Sequence, residues 1–140
     1  YIDRTPGLIR PANYPVDQPG KGYTIIETAS GVKVGVIHLQ GRVFMHTNCD
    51  CPFVTGKKIL QELREKTNVI AVDMHCEATS EKVAMGWWLD GQASFVLGTH
   101  THVQTSDAPA SRWPRIGRRS RREGGQPGVR RRRSAPACVR

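Results

Sequence analysis

Long apolar runs are missing from this chain. No stretch approaches the roughly 20 residues needed to cross a bilayer, so no membrane partner is expected. The opening residues lack the basic patch and apolar run of a secretory signal. The chain begins at Tyr1 rather than Met, which leads us to expect a longer or processed protein. Cysteine is scarce and shows no regular framework: only Cys49, Cys51, Cys76 and Cys138 are present. Free thiols in a reducing, cytoplasmic compartment are the expectation. Cys49 and Cys51 are too close for an easy disulfide. With no second pair to complete a tetrahedral site, they read as loop thiols before they read as metal ligands.

Negative charge is nearly absent from one end. Residues 112–140 contain 11 Arg, no Lys and a single acid, Glu123, for a net charge of +10. Residues 1–111 hold 10 Lys/Arg against 11 Asp/Glu, net −1, so the whole excess of +9 belongs to the tail. The globular part therefore offers no electrostatic argument for binding a polyanion. The tail has few apolar residues and cannot bury a core. It reads either as a disordered basic segment or, better, as out-of-frame translation of GC-rich DNA, which yields Arg, Pro, Gly, Ala and Ser while Lys stays rare. We expect residues 1–111 to form one domain and residues 112–140 an Arg-rich disordered tail.

Within residues 1–111 the pattern is α/β. The prolines and glycines of residues 6–20 predict an extended surface segment. Residues 22–28 and 32–39, with a turn at 29–31, predict a β-hairpin. Residues 40–55 read as a loop, and Thr55 as the cap of a helix over 56–66. The apolar run 68–74 predicts a buried strand, 77–90 a helix closed by Gly91, and 93–97 a second buried strand. Residues 68–97 have the length of a right-handed crossover between parallel strands.

Three of the five histidines stand where such strands end. His75 follows 68–74; His100 and His102 follow 93–97, in Gly98-Thr99-His100-Thr101-His102. Loops beyond strand C-termini line the ligand crevice of open parallel sheets, and imidazole is a frequent ligand of first-row divalent metals. These three are the expected metal ligands. Asp73 is a candidate ligand or supporting group. A lone histidine is more often structural, so His38 and His46 read as non-ligating. Glu77 and Glu81 read as acids complementing a helix N-terminus. Trp87 and Trp88 read as one packing and one partly exposed residue, with a base-stacking platform the lesser reading.

Val72-Asp73-Met74-His75-Cys76-Glu77-Ala78-Thr79-Ser80-Glu81-Lys82 and Gly98-Thr99-His100-Thr101-His102-Val103-Gln104-Thr105 resemble the signatures of the YmdB-like metallophosphoesterases. Arg10-Pro11-Ala12-Asn13-Tyr14-Pro15, Leu39-Gln40-Gly41-Arg42-Val43-Phe44-Met45 and Asp90-Gly91 match the same family in the same order, from about residue 8 to Ala108. The resemblance implies a calcineurin-like layered sandwich with flanking helices and two divalent metals, iron, manganese or similar. It also implies phosphodiesterase activity on a small phosphodiester such as a 2′,3′-cyclic nucleotide. His75, His100 and His102 align with the family's metal-binding histidines. The family's first-strand aspartate, its Glu-Asn pair and its Asn-His motif, whose histidine is the expected proton donor, do not precede Tyr1. The chain thus reads as a C-terminal part, lacking the N-terminal strands and the catalytic acid, and is expected to be inactive alone. Two other classes are kept open. An Arg-tailed nucleic-acid-binding protein would bind polyanions in a salt-sensitive way. A non-catalytic remnant of the fold would be folded and metal-free.

Overall fold

The computed structural model describes residues 1–103 and 138–139. Readings that fall on residues 104–137 and 140, including nearly all of the Arg-rich segment, lie outside the described residues. Five strands form one sheet in the order β1 (Tyr23–Glu27), β2 (Lys33–Gln40), β3 (Val69–Cys76), β4 (Phe95–His100), β5 (Cys138–Val139). Strands β1 and β2 form the expected antiparallel hairpin, while β2, β3, β4 and β5 run parallel. The hairpin closes because Gly31 takes φ +79°, a conformation glycine adopts without strain, and Thr28 Oγ1 accepts the Val32 amide at 3.0 Å. No helix among the described residues is long and apolar enough to cross a membrane.

Helices α1 (Pro52–Arg64) and α2 (Thr79–Trp88) make the crossovers and pack on one face of the sheet. Helix α1 begins at Pro52, not at residue 56 as expected from Thr55. Proline at the first helical position has the right φ and gives up an amide that would lack a helical partner anyway. Gly56 is not a boundary but a contact: a Cβ there would stand 2.7 Å from Leu39 Cδ1, so the glycine lets helix and strand approach. Ile59, Leu60 and Leu63 of α1, Met85 of α2 and Leu89 at its C-terminal end join Ile37, Leu39, Ile70, Val72, Met74 and Val96 in the core. Each large side chain buried this way contributes roughly 1.5–3 kcal/mol.

Three further expectations need correction. The segment 6–20 is not extended; it turns back so that Ile9 bridges to Lys21, and its Asn13 is buried. Side chains make good the hydrogen bonds that prolines cannot form. The Arg10 guanidinium donates to the carbonyls of Pro11, Pro15, Gln18 and Pro19. Strand β4 is not buried on both faces: Val96 is buried, but Phe95 and Leu97 on either side are 40% and 39% exposed, because both helices lie on one side. Trp87 and Trp88 are both about half exposed rather than one packed and one not. Trp88 stays ordered through its edge against Phe53, an Nε1–H···O bond of 3.0 Å to the Phe53 carbonyl, and Lys57 Nζ 4.8 Å above its ring.

Candidate metal-binding edge

The parallel strands extend past their apolar runs. His75 and His100 therefore lie inside β3 and β4, in the last pairs of the ladder (His75↔Thr99, Cys76↔His100), not in loops beyond them. The hydrophobic run marks only where the strand is covered, while backbone pairing continues into polar residues. The Gly41 amide, for example, donates to the His75 carbonyl at 2.9 Å.

Side chains at this edge form one hydrogen-bonded chain. His38 Nδ1 meets Asp73 Oδ2 at 2.8 Å, and Thr99 Oγ1 donates to Asp73 Oδ1 at 2.8 Å. His75 Nδ1 meets Thr99 Oγ1 at 3.1 Å, His75 Nε2 meets His100 Nδ1 at 3.2 Å, and His100 Nε2 meets Glu77 Oε2 at 3.1 Å. The rings of His75 and His100 cross edge to face, centroids 4.8 Å apart. His38 is edge-on to His75 at 6.1 Å. His102 lies two residues further on, and among the described residues no hydrogen bond, ion pair or ring contact joins it to the other two. His100 and His102 have φ of +95° and +57°, conformations strained for any residue with a Cβ.

Donor and acceptor roles follow from the partners. Burial pushes the Asp73 carboxyl up, but hydrogen bonds from His38 and Thr99 and the nearby His38 and His75 charges outweigh it and hold the acid below its ordinary 3.8. An ionised carboxylate only accepts, so the Thr99 hydroxyl proton is committed to it. Thr99 Oγ1 must then accept from His75 Nδ1–H. Burial, then the like charges of His100 and His38, lower the His75 pKa below 6.5 and favour the neutral ring, whose Nε2 carries a lone pair. Glu77 Oε2 accepts from His100 Nε2–H. The His75 Nε2 lone pair then meets His100 Nδ1 at 3.2 Å, a hydrogen-bonded pair of ring nitrogens. A divalent cation replacing that hydrogen bond would find two imidazole nitrogens side by side. Two nitrogens bound to one first-row ion at about 2.0–2.1 Å stand roughly 3–3.4 Å apart, so the gap fits. Among the described residues no group of three or more His, Cys, Asp or Glu is arranged to hold a metal ion. Of the three predicted histidines, His75 and His100 are in contact at this edge, and His102 follows two residues after His100.

Asp73 reaches His75 through Thr99, and His38, expected to be non-ligating, joins the same chain through Asp73. Glu77 and Glu81 do more than face a helix dipole. Glu77 lies before α2 and holds His100, whereas Glu81 is buried and accepts the Arg42 and Val43 amides at 3.0 and 3.2 Å. A Cβ on Gly41 would collide with Cys76 and Glu81, so that turn needs glycine. Asn13 gave no chemical signal, yet its side chain accepts the Gln40 amide at 2.9 Å and donates to the Gln40 and Asp50 carbonyls at 2.8 and 2.9 Å. Lys82 had a legible signal: with Ala78, Met85 and Leu89 it falls on one helical stripe, the face that packs on the sheet. Cys49, Cys51 and Cys76 are thiols, not halves of disulfides. Burial raises the Cys49 pKa, against the pull of Arg42, so its thiol stays protonated.

Comparison with known proteins gives these motifs a setting. A family profile described as "YmdB-like protein" matches residues 1–111. The 2′,3′-cyclic-nucleotide 2′-phosphodiesterase of Bacillus subtilis is 50% identical over 107 residues, covering 76% of this chain and 40% of that protein. A crystal structure of a hypothetical protein from Thermus thermophilus superposes with a TM-score of 0.69 at 44% identity, over 76% of this chain and 41% of that one. A phosphatase structure from Mycoplasma pneumoniae does so with a TM-score of 0.65 at 30% identity, over 76% and 38%. The chain spans about two-fifths of the length of the relatives it matches.

Proposed function

The chain belongs to the YmdB-like protein family, and from that premise we propose that it carries the histidine edge of a metal-dependent phosphodiesterase with a calcineurin-like layered sandwich. The proposed substrate is a small phosphodiester, with 2′,3′-cyclic nucleotides first among them, after the activity in the name of the Bacillus subtilis relative. The observation that carries this reading is the close pairing of His75 Nε2 and His100 Nδ1, 3.2 Å apart, with Thr99 behind one ring and Glu77 behind the other.

In this reading His75, His100 and His102 are ligands of divalent ions, iron, manganese or similar. Such ions supply Lewis acidity at the phosphoryl oxygens and activate water for attack. The chain's own residues do the rest. Asp73 and Thr99 hold the His75 proton on Nδ1, and Glu77 holds the His100 proton on Nε2. With a metal bound, His75 Nε2 and His100 Nδ1 would be the ligating atoms, each ring held from its other nitrogen, the support that ligating histidines commonly receive. The strain at His100 supports the same reading, since unusual backbone angles cluster at functional sites. Two contacting imidazoles are too few for a dinuclear centre.

We therefore expect the purified 140-residue chain to bind cobalt(II) weakly, with His75→Ala and His100→Ala each removing the signal. We also expect little turnover of a 2′,3′-cyclic nucleotide with manganese. Wild-type binding that persists in both alanine variants would remove the histidines from the site. Robust turnover lost on His100→Ala would overturn the expectation of inactivity.

A further inference from the structure

Helix α2 sets two neighbouring charged residues into the protein interior. Glu81 secures the turn after β2 through the Arg42 and Val43 amides. Lys82 is only 1% exposed, on the stripe it shares with Met85 and Leu89, and its Nζ donates to Thr101 Oγ1 at 3.0 Å. Burying an ammonium carries a desolvation cost that a methionine of similar length would avoid. One of the contacts it makes is a hold on Thr101, the residue between His100 and His102. Both histidines have positive φ, and such strain persists only where surrounding contacts over-determine it.

We propose that Lys82 is a positioning residue: it grips Thr101 from the helix side and thereby fixes the turn that carries His100 and His102. The role rests on the proposed metal site, but the grip on the turn can be measured without metal. In the metal-free 140-residue chain, Lys82→Met and Thr101→Val should each speed amide exchange at residues 99–103 by about tenfold or more, with β2 and β3 unchanged and Tm not lowered. Lys82→Arg should restore part of the protection, and the double variant should be no worse than either single one. Cobalt(II) affinity should fall about tenfold with both single variants, in the range seen when a supporting contact to a ligand is lost.

If exchange at 99–103 stays within about twofold of wild type, or rises equally across the whole sheet, Lys82 is a packing residue and the proposal fails. A wild-type chain that binds no cobalt(II) sinks the metal reading, while the exchange data still judge the grip. If Lys82→Met does not fold, Thr101→Val, at a partly exposed position, decides.

Discussion

The two faces of the sheet are built from the same strands and do different work. On the helix-covered face, Ile37, Val72 and Val96 form one register row and Leu39 and Met74 another, all buried and apolar, before the last row pairs Cys76 with His100. On the opposite face the rows change character along the strands. Val36, Ala71 and Phe95 come first, then His38, Asp73 and Leu97, then Gln40, His75 and Thr99. Because side chains alternate between faces, β3 contributes Ile70, Val72 and Met74 to stability and Ala71, Asp73 and His75 to the open side. Stability and chemistry are thus interleaved residue by residue, and substitutions one position apart should have opposite consequences.

The largest contrast should be in folding. Leu60→Ala or Met74→Ala removes a fully buried side chain from beneath the helices and should cost about 2–5 kcal/mol. Leu97→Thr, on the open face, should change stability by no more than about 0.5 kcal/mol. Urea melts of the three variants measure both, and a Leu97→Thr loss as large as that of Met74→Ala would mean the two faces are equally buried. Next comes Asn13→Ala, which strands the buried Gln40 amide and two carbonyls and should cost about 1–3 kcal/mol in the same melts. A near-zero change there would show that the proline-rich segment is not pinned to β2.

Acidification should act through His75 and Asp73 on the open face. His75 resists protonation in the folded chain, so below about 6.5 the unfolded chain takes up a proton that the folded one refuses, and stability falls. Asp73, held below 3.8, contributes stability that is present above that value and lost as pH falls through its depressed folded pKa. The metal-free chain should therefore lose Tm in two stages on going from pH 7 downward. His75→Gln should abolish the first stage and leave the second. If both stages survive the substitution, the first belongs to another group.

Much of this was readable in the sequence because burial and periodicity leave marks in composition. The hairpin, the crossover over 68–97 and the apolar rows follow from β-branched runs and helical spacing, whereas the parallel pairing of β2 with β3 comes from the structure. The three histidines drew notice because they follow apolar runs. What was not legible depends on side chains that meet from distant positions. Nothing in the local sequence shows that Asn13 reaches Gln40 and Asp50, that Thr99 lies between Asp73 and His75, or that Glu81 caps the amides at 42 and 43. The strand ends were placed too early for the same reason: hydropathy stops at Met74 while the ladder runs on to Cys76. His102 marks another limit, since sequence spacing makes it equal to His100 but cannot say which of the two meets His75; the structure shows that contact for His100.

The smallest energetic effect sharpens the comparison most. Thr99→Val deletes one partly solvated hydroxyl, and the net worth of the hydrogen bonds it makes is about 0.5–1.5 kcal/mol each, less where water replaces them. Global stability should therefore barely change. The tautomer of His75 should change a great deal, because Thr99 Oγ1 is the acceptor that keeps the proton on Nδ1 and the link through which Asp73 acts. Without it, Nε2–H becomes favourable, since it can donate across the 3.2 Å gap to His100 Nδ1. Ring-nitrogen NMR of the metal-free chain at pH 8 reads this directly: the wild type should show an unprotonated Nε2 at residue 75, and the valine variant a shift toward Nε2–H. Identical spectra would mean that the relay from Asp73 does not set the ring, and the Nδ1–H tautomer of His75 would lose its explanation.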